Sequence, residues 1–210
     1  MNTNDLTRLC ELGVATVYEA SSREGLIDIP LIQIIPNSCV AGPARTVLCG
    51  QDDNLMVHAI IEQIQPGEVL VLSMPEPAPI ALIGELLATQ VKVRGAAGIL
   101  VDAAVRDVNE LIELGLPVWT RFVRVRGAAK TKIGELNGAV TVGGALISPG
   151  DIVVLDADGG VCVKRARVDE VLNASEERLA KENALRKKLL AGQISYDLHG
   201  LRAVVERNKK

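Results

Sequence analysis

At 210 residues, 48% of them hydrophobic, the chain is long enough to bury a sizeable core, and a single α/β domain over 1–210 is the simplest reading. A net charge of −3 leaves no basic footprint for nucleic acid or an anionic membrane, and Tyr18, Trp119, Phe122 and Tyr196 are too few aromatics for a base-stacking platform. No apolar run is long enough to span a bilayer and the N-terminus, MNTNDLTRLCELG, carries no signal-peptide hydrophobic block.

Taken in chain order, residues 5–23 read as a helix, with Leu6, Leu9, Cys10, Gly13, Val14 and Val17 at helical spacing and Asp5 as a cap. Gly25 to Pro43 is irregular, broken by Pro30, Pro36, Gly42 and Pro43. A strand follows at Ala44–Leu48, a helix at Asn54–Gln63, a Pro66-Gly67 turn and a strand at Val69–Leu72. Pro75, Pro77 and Pro79 stiffen the loop before a helix at Glu85–Val93. Gly98–Asp102 is a buried strand, Val108–Leu114 a short helix closed by Gly115, and Pro117–Trp119 a short strand. From Thr131 to Val163, short strands alternate with Gly143-Gly144, Pro149-Gly150 and Gly159-Gly160 turns, which predicts a β-rich half packed on the α/β half. Asp169–Ala191 is a long charged helix with one apolar stripe, Val171, Leu172, Leu179, Leu185, Leu189 and Leu190, and such a polar C-terminal helix suits a neighbouring subunit.

Cys10, Cys39, Cys49 and Cys162 are scattered without a CxxC pair, which argues against a disulfide framework or a thiolate zinc site and fits a reducing cytoplasmic location. With only His58 and His199, any metal is expected to be a hard, oxygen-ligated ion such as Mg²⁺ or Mn²⁺. There is no GxxxxGK[ST], no GxGxxG after a strand and no GxSxG, so nucleotide and serine-hydrolase chemistries have no support.

Four places carry candidate chemistry. At Gly84-Glu85-Leu86-Leu87 the first N–H groups of a helix are unpaired and the helix dipole favours an anion, so Leu86 and Leu87 can hold a carboxylate; the same pattern also starts an ordinary helix with an acidic first turn. Arg106-Asp107 follows the buried strand, at the carboxyl end where α/β folds place ligands. Arg binds carboxylates bidentately and Asp ligates hard cations, although the pair equally suits a surface salt bridge and an N-cap for helix 108–114. Asp102, five residues earlier, is read as satisfying local backbone groups. Asp52, Asp53 and Asn54, with His58 one turn on, are either a substrate-contacting loop or a helix cap. Arg121, Arg124, Arg126, Lys130 and Lys132 can steer a polycarboxylate, or form a solvated face.

Glu85, twenty residues, then Arg106-Asp107 resembles the D-x20-R-D signature of the 4-hydroxy-4-methyl-2-oxoglutarate / 4-carboxy-4-hydroxy-2-oxoadipate aldolases, in the superfamily of the RraA-like regulators of ribonuclease E. The likeness extends through GVATVYEAS (13–21), VAGPARTV (40–47), DNLMVH (53–58), IQPGEVLVL (64–72), GELLAT (84–89), DAAVRD (102–107), GLPVW (115–119) and SPGDIVVLDADGGVCV (148–163). It implies an RraA-like α/β fold, swivelling-domain-like in its β/β/α layers, and a class II metal-dependent pyruvate aldolase using Mg²⁺ or Mn²⁺. On that resemblance Asp107 ligates the metal and Arg106 binds the pyruvyl unit and stabilises the enolate. The amides of Leu86 and Leu87 hold the carboxylate, with Asn54 also on the substrate, and Glu85 contacts metal-bound water. Glu182 is the carboxylate supplied by an adjacent subunit of a homotrimer or hexamer. Oxaloacetate decarboxylation is an implied side activity.

Three departures bear on substrate identity. Glu85 stands where the signature has Asp, adding roughly 1.5 Å of reach. Asp52 stands where the family often has Gly, and Phe122 where the residue is usually small. The alternatives are a non-catalytic regulator that binds ribonuclease E, a branch that generally lacks the Asp after the Arg, and a related lyase or decarboxylase on another keto acid.

Overall fold

A computed structural model describes residues 3–207. Helices α1 (Thr3–Leu12) and α2 (Val14–Ala20) lead to strands β1 (Ile32–Gln33) and β2 (Val40–Leu48). Then come α3 (Leu55–Ile60), β3 (Val69–Ser73), β4 (Ala81–Ile83), α4 (Glu85–Val93), β5 (Gly98–Val105), α5 (Val108–Leu114) and β6 (Val118–Val123). The second half holds β7 (Glu135–Leu136), β8 (Val140–Val142), β9 (Ala145–Ile147), β10 (Ile152–Asp156) and β11 (Gly159–Val163), then α6 (Val168–Leu190), α7 (Ser195–Leu198) and α8 (Leu201–Arg207). Among the described residues no helix is long and apolar enough to cross a membrane.

One curled sheet of nine strands runs in the order β1-β6-β5-β3-β2-β10-β11, with β4 added to β5 and β7 to β2. The β2–β3, β3–β5, β4–β5 and β5–β6 pairs are parallel. β10 and β11 continue this sheet on the far side of β2, so the expected separate β-rich half is reduced to the β8–β9 hairpin, which covers one face. Strand β5, GILVDAAV, is buried along its whole length, as a parallel strand covered on both faces must be. It runs three residues past the predicted end at Asp102, and β6 runs to Val123 beyond the predicted Trp119.

Three apolar clusters hold the layers. Leu70, Leu72, Ile99, Val101 and Val105 pack beneath α3, α4 and α5 through Val57, Ile60, Leu87, Val91 and Leu111. On the other face Val71, Leu100 and Trp119 meet Val140, Val142 and Ile147 of the hairpin. Leu9, Val14 and Val17 join Val154, Val161, Val168 and Val171 where α1, α2 and α6 cover β10 and β11. Only the first half of α6 is buried; Leu189 and Leu190, assigned to its apolar stripe, are exposed.

The helix expected over 5–23 is two helices. Gly13 breaks it at φ +79°, and the Asp156 carboxylate accepts the Val14 N–H at 2.7 Å to start α2. Cys10 and Cys39 are joined by a disulfide, against the expectation of unbridged thiols in a reducing compartment: residues scattered in sequence meet where α1 lies on the start of β2. Cys49 and Cys162 are free and buried, and burial pushes both thiols up to about 12. Asp102 is not held by backbone groups. It is buried 2.8 Å from Arg121 Nε, and burial raises its carboxyl despite that cation.

At the amino end of the parallel strands, Arg45 Nε and Nη2 donate to Glu68 at 2.8 and 2.6 Å, Nη1 donates to Asn137 at 2.8 Å, and Asn137 donates to Gln63 at 2.8 Å. The pair is mostly buried and bidentate, the geometry in which an ion pair contributes measurably. Glu68→Gln is expected to cost about 1–2 kcal/mol, lowering Tm by roughly 3–6 °C in a thermal melt, while surface Glu177→Gln leaves Tm within about 1 °C.

Candidate active site

The carboxyl ends of β2, β4, β5 and β6 open onto one rim, and a cavity of about 270 Å³ sits there. Its lining includes Asn54 and His58 after β2, Gly84, Leu86, Leu87 and Gln90 after β4, Arg106 and Asp107 after β5, and Gly127, Ala128 and Lys130 after β6. This is the position predicted for a ligand site in a parallel sheet.

Its centre is a crossing of two chain segments. Parallel pairing sets Ala81 opposite Ala104 and Ile83 opposite Val105, and the Arg106 N–H donates to the Ile83 carbonyl at 3.2 Å. The two turns leaving these strands therefore touch. A methyl group built on Gly84 would lie 2.3 Å from Asp107 Oδ2 and 3.1–3.2 Å from the Arg106 side chain. Only a residue without Cβ allows the approach. On the opposite wall, a methyl on Gly127 would come within 2.9 Å of Arg106 Nη1. Arg106 is thus lodged between two glycines.

Asp107 occupies the N-cap position of α5, one of the roles its sequence allows, but makes no side-chain cap bond there. Its backbone is left-handed, φ +61° and ψ +48°, unlike the extended conformation of a capping residue. Its Oδ2 instead accepts the Glu85 N–H at 3.1 Å, the first amide of the neighbouring helix α4. Arg106 Nε lies 3.6 Å from the same oxygen, and both side chains remain about half exposed at the cavity. The carboxylate is therefore held between a helix N-terminus and a guanidinium.

The amides of Leu86 and Leu87 lie in the first turn of α4, ahead of the first intrahelical bond, Ala88 N–H to Gly84 O at 3.0 Å. The Leu87 side chain is buried; that of Leu86 is 76% exposed at the rim. Glu85 departs from expectation. Its carboxylate accepts the Thr89 hydroxyl at 2.8 Å along its own helix and does not line the cavity; only its N–H faces Asp107. The longer side chain reaches back one turn and bonds there.

Asn54 is buried. Its Nδ2 donates to the Leu82 carbonyl at 2.9 Å, while its Oδ1 is left without a partner, an acceptor that a ligand donor would satisfy. Asp53 acts as the local cap, accepting the Leu55 N–H at 2.8 Å. Asp52 is exposed and left-handed at φ +59°. The basic cluster divides: Arg121 pairs with Asp102, Lys132 Nζ donates to the Gln51 carbonyl at 2.8 Å, and Lys130 joins the cavity. Phe122 is half-buried on β6, its ring 6.0 Å from the Arg121 guanidinium.

Glu182 is not brought to this cavity. It lies on α6, paired with Arg178 Nε at 2.9 Å, and the same Arg178 stands 3.8 Å from Glu19 of α2. Among the described residues no three His, Cys, Asp or Glu side chains gather as a metal-ligand cluster. Gly127 and Gln90 escaped the sequence reading as site residues. Gly127 had a faint signal, a glycine inside a basic loop; Gln90 had none, because its place in the wall follows from how α4 is set.

A family model described as RraA-like, Aldolase/RraA, matches residues 14–162, a span that contains the whole cavity and stops before α6. A protein of Halalkalibacterium halodurans named "Putative 4-hydroxy-4-methyl-2-oxoglutarate aldolase" is 32% identical over 171 residues, 81% of this chain and 79% of that one. Among solved structures, Streptomyces coelicolor RraAS2, described as an unusual member of the RNase ES inhibitor RraA family, is 28% identical with a TM-score of 0.77, over 89% of this chain and 97% of that one. The RNA-processing inhibitor RraA from Thermus thermophilis is 27% identical with a TM-score of 0.59, over 66% and 82% of the two chains. With the model spanning most of the sheet and the relative most of the chain, this protein belongs to the RraA-like (Aldolase/RraA) family.

Proposed function

We propose that the chain is a divalent-metal-dependent aldolase that cleaves a 4-hydroxy-2-oxo di- or tricarboxylate and releases pyruvate. The observation that carries this reading is Asp107 held beside Arg106 at the mouth of a cavity whose other edge is a helix N-terminus. The aldolase name of the Halalkalibacterium relative supports the same reading.

The residues present fit a Mg²⁺ or Mn²⁺ ion. Mg²⁺ is commonly held by one or two carboxylates, the rest of its shell being water and substrate oxygens. Asp107 offers one partly exposed carboxylate of this kind, with no closed cage around it. When bound there, the ion would supply Lewis-acid withdrawal of electrons from the ketone of the pyruvyl unit. The Leu86 and Leu87 amides would bind the adjoining carboxylate at the positive end of α4. Arg106 would offset negative charge developing on the ketone oxygen as the carbon–carbon bond breaks. The buried Asn54 Oδ1 would accept a hydrogen bond from a substrate hydroxyl. Lys130 and His58, on the walls away from α4, would face the remote carboxylate of a longer substrate.

The proton leaving the substrate hydroxyl needs a carboxylate acceptor, directly or through water. Glu85 would serve only by releasing Thr89; Glu182 would serve only from a neighbouring subunit, in a homotrimer or hexamer. A cytoplasmic location, a small-molecule substrate and no nucleic-acid partner complete the proposal. The second reading, inhibition of a ribonuclease, is motivated by the description of RraAS2. The carboxylate of Asp107, absent from most of that branch, weighs against it.

Four outcomes are expected. Purified protein with Mg²⁺ or Mn²⁺ releases pyruvate from 4-hydroxy-4-methyl-2-oxoglutarate or 4-carboxy-4-hydroxy-2-oxoadipate, and EDTA stops it. Asp107→Ala abolishes the reaction and Arg106→Ala lowers kcat about 10²–10³-fold. No pyruvate from either substrate or from oxaloacetate, with metal present, would remove the enzyme reading. Gly84→Ala, which forces Asp107 aside, lowers kcat/KM about 10²-fold while the circular-dichroism spectrum is retained. Glu182→Ala, assayed beside light scattering, weakens turnover only in the assembled state; an equal loss in a dissociated form would place its effect within one chain.

A further inference from the structure

Asp53 sits in the turn between β2 and α3, fully buried, and takes no part in the chemistry above. Its Oδ2 accepts the N–H groups of Thr131 at 2.6 Å and Lys132 at 3.0 Å and the Thr131 hydroxyl at 3.3 Å, while its Oδ1 accepts the Leu55 N–H. Burial alone would push this carboxyl up, but these four bonds outweigh it and hold the group below the ordinary carboxylate range. The adjoining residues extend the seam. The Asn54 N–H donates to the Ala129 carbonyl at 2.9 Å and the Ala129 N–H donates to the Asp52 carbonyl at 3.0 Å. The approach is close enough that a methyl on Gly50 would lie 2.5 Å from Lys132 Cβ.

The segment so held supplies one wall of the cavity. At its near end the Ala81 N–H donates to the Arg126 carbonyl at 2.7 Å. Between the two anchors stand Gly127, against Arg106, and Lys130. Thr131 and Lys132 are themselves exposed and outside any strand, yet their amides end on a buried carboxylate. Hydrogen bonds from backbone amides to an ionised acceptor are roughly twice as strong as neutral ones. That is more restraint than an exposed loop needs in order to be covered.

We propose that Asp53 is the positioning residue of the cavity: by clamping Thr131 and Lys132 it sets where Lys130 stands, and so sets affinity for the remote carboxylate of the substrate. The part concerning substrate rests on the aldolase reading; the clamp does not. The wild-type chain tests the clamp first, by hydrogen–deuterium exchange resolved by residue. The Thr131 and Lys132 amides are expected to exchange slowly despite their exposure, and at least about tenfold faster in Asp53→Asn. Free exchange in the wild type would overturn the clamp with no variant needed, so failure of the variant to fold leaves the question decidable.

The catalytic consequence is read separately. Asp53→Asn is expected to raise KM for a tricarboxylate substrate about tenfold, with kcat within about twofold. The inhibition constant of pyruvate, which fills only the Arg106 and Leu87 end, should stay within twofold. In a Lys130→Met background the tenfold effect should shrink below twofold. A KM effect of full size in that background, or an equal loss of pyruvate affinity, would reduce Asp53 to a merely structural residue. Absence of pyruvate release by the wild type would remove the aldolase reading, while the exchange result would still decide the clamp.

Discussion

The site depends on one contact, the passage of Gly84 against the carboxylate of Asp107. It exists because β4 pairs with β5 in parallel, so that the turns leaving both strands emerge at the same edge of the sheet. Parallel strands place their carboxyl ends together, and the helix after one strand then presents its unpaired amides to the turn after the next. Here the Glu85 amide is bonded to Asp107, which orients the carboxylate, and the next two amides remain toward the cavity. A side chain at position 84 would push these groups apart.

The rest of the molecule makes that contact rigid. β5 is buried from end to end, and α4 and α5 lie against it through Leu87, Val91 and Leu111. The left-handed turn at Asp107 is tolerated because Asp adopts that conformation more readily than bulkier residues, and because its oxygen finds a donor outside its own helix. On the opposite wall, the Asp53–Asn54 dipeptide ties the 126–132 segment to the ends of β2 and β4. Two carboxylates thus do opposite work around one pocket: Asp53 is buried behind its wall and saturated by bonds, Asp107 is half-exposed at its mouth and only partly engaged. Saturation suits a fastener and partial engagement suits a ligand group.

The elements most legible in the sequence were those whose ends carry strong local signals. The helices at 85–93 and 108–114 were located to the residue, one by Gly84 before it and Arg94-Gly95 after it, the other by Asp107 and Gly115. The errors fell where a tertiary partner overrides local pattern. Gly42 and Pro43 looked like breakers, yet they lie inside β2, paired with Val153 and Ile152 of β10. Asp102 looked like a strand end, yet Arg121 on the adjacent strand allows the strand to continue past a buried charge. The Cys10–Cys39 bridge, the merger of β10 and β11 into the main sheet, and the break at Gly13 were invisible for the same reason.

By itself the sequence determined the α/β class, the apolar strand that β5 becomes, the helix starting at Glu85, and the placement of Arg106-Asp107 at a strand's carboxyl end. These follow from spacing and residue type, which act over a few residues. Only the tertiary structure decided that Asp107 would serve the amide of α4 and not cap α5, that Glu85 would turn back to Thr89, and that Asp53 would hold the wall bearing Lys130. Each depends on which distant group stands within about 3 Å, the range of a hydrogen bond, and strand pairing sets that distance.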